Sequence, residues 1–125
     1  MAQQRVKTES ALVVAPIALK EIGTEAFKAI ILPAGAEVLG VNLEVTAAAD
    51  ASVTAKIGFN DDDDFFGSAL DVATANKNHA QGKVTTLNQS GFVTLTLSQA
   101  ATKGEVTLRV HFFYPTERMT EISIA

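Results

Sequence analysis

Four consecutive carboxylates, Asp61-Asp62-Asp63-Asp64, set between Phe59-Asn60 and Phe65-Phe66, are the densest source of chemistry in this sequence. A hard cation such as calcium takes several oxygen ligands, and a strand-connecting loop can supply them. Adjacent side chains diverge, however, and the run lacks the alternating ligands and central glycine of a helix–loop–helix calcium site. Like-charge repulsion therefore predicts a solvated acidic turn whose Asp side chains bond to nearby backbone. Metal ligation by Asp61, Asp62, Asp63 and Asp64 is the weaker alternative.

The two histidines, His79 and His111, stand far apart in the chain. A zinc centre needs three or four converging donors, so neither reads as a ligand. His111 falls on the polar face of an alternating segment beside Arg109, which suits a surface or interface residue. His79 lies in a weakly structured segment, 76–81, and is expected to be exposed. Gly67-Ser68 and Ser90-Gly91 hold fragments of a nucleophile elbow but not the motif. Gly35 and Gly40 are isolated, with no phosphate loop following. The acidic residues sit in one run or scatter over polar faces, unlike a glycosidase pair. The reading is non-enzymatic, without a cofactor.

Composition narrows the classes further. With 125 residues the chain is one domain, expected as a flexible N-terminal arm (1–10) and a single sandwich (11–125). No cysteine means no disulfide scaffold, thiolate nucleophile or iron–sulfur centre. A net charge of −4 and a pI near 5.0 argue against non-specific binding to nucleic acid or anionic membrane. The polar start MAQQRVKTES lacks the pattern of a secretory signal, and no apolar run is long enough to span a bilayer. Synthesis in a reducing cytoplasm is the expectation.

The elements that must position any site read as strands. Apolar residues recur at every second position in 38–45 (Leu39, Val41, Leu43, Val45), in 52–60 (Val53, Ala55, Ile57, Phe59), in 93–98 and in 105–114. Residues 11–19 and 26–32 are apolar on both faces, as strands covered on both sides would be, and Pro16 points to an edge or a bulge. Segments 65–70, 83–87 and 119–124 are shorter candidates. Residues 73–81 show no helical stripe and read as a loop or single turn. Many short strands without amphipathic helices predict an all-β, antiparallel, jelly-roll-like sandwich of about eight strands.

A sandwich this small has one interior, yet several strands carry large apolar residues on both faces. Consecutive pairs, Val13-Val14, Ile30-Ile31, Phe65-Phe66 and Phe112-Phe113, must send one member outward. A mean hydropathy of +0.20 points the same way. The surplus predicts oligomerisation or docking, with Val13, Ile30, Phe65, Phe66, His111 and Phe113 as interface candidates.

The segment Ile31-Leu32-Pro33-Ala34-Gly35-Ala36-Glu37-Val38-Leu39-Gly40-Val41 is followed by Val53-Thr54-Ala55-Lys56-Ile57-Gly58-Phe59-Asn60 and the Asp run. Together they resemble small virion proteins of tailed bacteriophages, head decoration (cement) proteins in particular. The resemblance spans residues 26–70 and rests on turn and strand residues. It implies a structural protein on the capsid surface of the virion, partnered by the major capsid protein or other virion proteins. Copies are expected as a homo-oligomer, a trimer foremost, that stabilises the shell. Nucleic acid and membrane are not among the implied partners. Two alternatives stand beside it: another phage component associated with tail, neck or fibre, and a carbohydrate- or calcium-binding sandwich module.

Overall fold

The structure, a computed structural model, describes residues 2–116 and 118–122. In chain order its strands are β1 (Ala2–Val6), β2 (Ser10–Ala18), β3 (Phe27–Leu32), β4 (Glu37–Ala47), β5 (Thr54–Phe59) and β6 (Asp62–Asp71). There follow β7 (Lys77–Gln81), β8 (Thr85–Thr86), β9 (Gly91–Leu97), β10 (Glu105–Phe113) and β11 (Arg118–Ile122). One sheet runs β2-β10-β4-β7, with β8 beside β4, and the other runs β3-β9-β5-β6. All pairings are antiparallel. The chain passes between the sheets as it proceeds, giving the expected antiparallel β-sandwich. β1 and β11 pair only with each other, as a two-stranded ribbon.

Alternation explains the core. Val41, Leu43 and Val45 of β4 lie beside Val106, Leu108 and Val110 of β10, facing Ile57, Val93 and Leu95 of the other sheet. All are buried, and each such side chain contributes about 1.5–3 kcal/mol on leaving water. On the outer face, Arg109 donates from Nη1 to Glu44 Oε1 at 2.8 Å across the β10–β4 pair.

Leu39 departs from the alternation. His111 pairs with Gly40 and Phe112 with Val38, so Leu39 is an extra residue with no partner on β10. This bulge shifts the facing by one residue. Val38 enters the core and Leu39 is 38% exposed, whereas the sequence pattern assigns Leu39 to the same face as Val41.

Other segments also differ from expectation. Residues 77–81, read as loop, form β7, an edge strand laddered to Val41–Val45. An edge strand with both faces wet needs no apolar alternation, so its pattern is invisible in the sequence. Of 83–87, only Thr85 and Thr86 pair. Asp62, Asp63 and Asp64 belong to strand β6, and the turn itself is confined to Asn60 and Asp61. Residues 11–19 and 26–32 correspond to β2 and β3, which are both sheet edges. Pro16 therefore marks an edge, as expected. The outer faces of both strands, expected to be covered, stay open. Residues 2–6, within the expected N-terminal arm, form β1. Of the strand candidate 119–124, residues 119–122 fall in β11, and residues 123 and 124 lie outside the described residues.

Candidate docking surfaces

Asn60 organises the acidic end of the sandwich. Its φ of 54° is left-handed, a region that Asn tolerates better than most residues. There its N–H donates to Phe92 O at 2.9 Å, and its Oδ1 accepts from Phe92 N–H at 2.9 Å. Nδ2 donates to Ser90 O at 3.4 Å. The side-chain-to-backbone bonds expected from the Asp run thus come from Asn60. A Cβ on Gly58 would overlap the backbone of Asp62 and Asp63, so glycine is what lets β6 fold across β5.

Asp62, Asp63 and Asp64 each bring one carboxylate oxygen within 4.8 Å of the others. Asp61 is not part of that group. Lys56 Nζ lies 3.5 Å from Asp63 Oδ2, supplying countercharge. Lys83 Nζ donates to Phe65 O at 3.2 Å and stands 3.6 Å from the Phe65 ring centroid.

The histidines fall on different strands, β7 and β10. His79 is half-buried rather than exposed, with Nε2 2.7 Å from Asp71 O, so it joins the β7 edge to the end of β6. His111 is exposed on the outer face of the five-stranded sheet, its ring 5.9 Å from that of Phe113. Neither histidine meets a serine or a carboxylate side chain among the described residues.

The interface candidates divide. His111 is exposed, and Phe113, Val13 and Phe65 are half-buried. Ile30 and Phe66 lie in the core, each 4% exposed, and offer a partner nothing. Their placement corrects the choice within two of the pairs. In Ile30-Ile31 it is Ile31 that faces out, 67% exposed, and in Phe65-Phe66 the outer member is Phe65. Leu12 and Val14 are a further omission, at 59% and 49% exposure on β2. Pro16 held the signal: residues two and four before an edge proline share its outward face.

Two concave surfaces result. Leu12, Leu39, His111 and Arg109 surround Gly40, above which a Cβ would meet nothing within 4 Å, in a hollow of about 430 Å³. A mostly apolar crevice of about 490 Å³ lies where the open edges of β2 and β3 meet, lined by Val13, Ile31, Pro33, Phe112, Tyr114 and Pro115. The sandwich thus joins a dry interior to an outside that keeps large apolar side chains, among them Leu12, Val14 and Ile31.

Comparison with solved structures finds chains of similar fold. The chain resembles one in the acidic stable capsid structure of Helicobacter pylori bacteriophage KHP30, with a TM-score of 0.81 and 25% identity. That likeness covers 97% of this chain and 100% of the other. A chain of the cyanophage Pam1 capsid asymmetric unit matches with a TM-score of 0.66 and 22% identity, over 87% of each chain. A chain of the capsid of Ralstonia phage GP4 matches with a TM-score of 0.67 and 14% identity, over 89% of this chain and 88% of that one. The last two likenesses are of fold. No protein-family model matches the sequence, and no curated protein matches it. The likeness to the KHP30 capsid chain supports a phage virion protein with a structural role. No helix among the described residues is long and apolar enough to cross a membrane.

Proposed function

We propose that the protein is a capsid decoration (cement) protein that binds the head surface of a phage virion and stabilises the shell. Its partner is the major capsid protein, and its working form is a homo-oligomer, a trimer foremost. The observation that supports this reading most is the end-to-end likeness to a chain of the KHP30 capsid, in a sandwich whose outer faces carry Leu12, Val14 and Ile31. Cementing needs contact area repeated over many copies and no reactive side chain, so modest affinities add through multivalency.

Purified protein mixed with heads that lack it tests the reading. Saturable binding at a fixed ratio to the major capsid protein, with a rise in the shell's melting temperature, is the expected result. Absence of binding to heads, or recovery in only a few copies with tails or necks, refutes it in favour of another virion component.

A further inference from the structure

The ribbon and the crevice are two unfinished surfaces at one end of the same molecule. β1 precedes β2 and β11 follows β10 along the chain, and the base of the ribbon is pinned by Tyr114 N–H to Glu9 O at 2.8 Å and Lys7 Nζ to Gly35 O at 3.1 Å. Beyond that base they ladder from Val6↔Arg118 to Ala2↔Ile122, and neither joins a strand of either sheet among the described residues. An isolated two-stranded ribbon is at best marginally stable in water and gains from a third strand or an apolar surface. Beside its base lies the crevice between β2 and β3, with Glu9, Tyr114, Pro115 and Thr116 on its rim. It presents the exposed Ile31 side chain and two sheet edges whose outward N–H and C=O groups have no strand beside them among the described residues.

We infer that the β1–β11 ribbon of one copy seats in the β2–β3 crevice of a neighbouring copy. The occupant is a second copy because each chain carries both halves of the contact: a ribbon lacking a third strand, and an apolar slot flanked by open edges. Ribbon and crevice are different surfaces, so the contact repeats from copy to copy until the set closes on itself, the smallest closed ring being a reciprocal pair. A closed ring satisfies every ribbon and every crevice, whereas a two-fold dimer through one shared patch would leave them unfilled. This deepens the oligomer part of the proposed function and stands without the capsid.

Light scattering on the full chain without capsids, together with cysteine pairing in this cysteine-free background, tests it. The wild-type mass should be a multiple of 13.2 kDa, and Ile31→Glu should reduce it to that value while the monomer still unfolds cooperatively. Leu12→Glu, on the outer face of the other sheet, should leave the multimer intact. Gln4→Cys combined with Ile31→Cys should give covalent multimers on oxidation, and neither single variant should form that ladder. A monomeric wild type overturns the inference, as does a multimer that survives Ile31→Glu and gives no linkage between copies. Loss of the multimer on Leu12→Glu alone overturns it too, moving the contact to the outer face. Monomers that still bind heads would leave decoration standing and remove only the ring. Ribbon-linked multimers that ignore heads would do the reverse.

Discussion

The side-chain amide of Asn60 fills the space that a Cβ on residue 91 would occupy, so the two residues form one lock. Asn60 at φ 54° closes the β5–β6 turn and grips the chain entering β9 through Ser90 and Phe92. Gly91 is the gap that admits the amide.

Gly91→Ala should therefore destabilise by about 1–3 kcal/mol, as a forced overlap does. Asn60→Gly keeps the left-handed backbone but loses two side-chain hydrogen bonds, each worth about 1 kcal/mol. In the Asn60→Gly background, Gly91→Ala should cost distinctly less, because nothing remains to collide with. Urea unfolding of the four proteins in a double-mutant cycle measures the coupling. Additive effects would show that the lock is absent.

Val38 and Leu39 should respond in the order opposite to their alternation in sequence. Leu39→Thr is expected to change stability by no more than about 0.5 kcal/mol, since the bulge turns Leu39 toward solvent. Val38→Ala should cost about 2 kcal/mol through the cavity left in the core. Denaturant midpoints decide it, and a larger cost at Leu39 would remove the bulge.

Acid should weaken the fold through two loop clips. Asp50 is held below the ordinary carboxylate value of 3.8, first by the Thr102 backbone N–H and then by its hydroxyl. Asp71 is held below the same value, first by the Thr74 hydroxyl and then by the Ala73 N–H. A carboxyl whose folded pKa is depressed contributes stability above its unfolded pKa and loses it as the pH falls through the folded one. Melting temperature should drop on acidification below about pH 4, and Asp50→Asn with Asp71→Asn should flatten that drop. An unchanged slope in the double variant would show that neither clip carries it.

Thr94 is 2% exposed and its hydroxyl has no hydrogen-bond partner among the described residues. Exchanging an unpaired buried hydroxyl for a methyl removes a desolvation cost, so Thr94→Val should stabilise by about 1 kcal/mol. Calorimetry checks this. Destabilisation by a similar amount would mean that the hydroxyl is satisfied.

The acidic strand start should not depend on calcium. Lys56 already neutralises Asp63, and Asp62 and Asp64 are solvated. Melting temperature is expected to be equal in calcium and in chelator, with Asp62→Asn neutral or slightly stabilising through relief of repulsion. A saturable rise with calcium that Asp62→Asn abolishes would instead establish a cation site at Asp62, Asp63 and Asp64.

Alternating valine, leucine and isoleucine determined most of the strands, because period-two burial is a local property of an extended chain. The same arithmetic announced an apolar surplus, and Pro16 marked β2 as an edge because a proline offers no N–H to a second neighbour. Only tertiary structure decided which residues make up that surplus. The bulge at Leu39 and the core positions of Ile30 and Phe66 follow from register, which depends on strands far away in the chain. β7 was hidden for a related reason: Lys77, Asn78, His79, Ala80 and Gln81 become a strand by pairing with β4, and no periodicity of their own requires it. The ribbon of β1 with β11 joins the two ends of the chain, a meeting that no local pattern encodes.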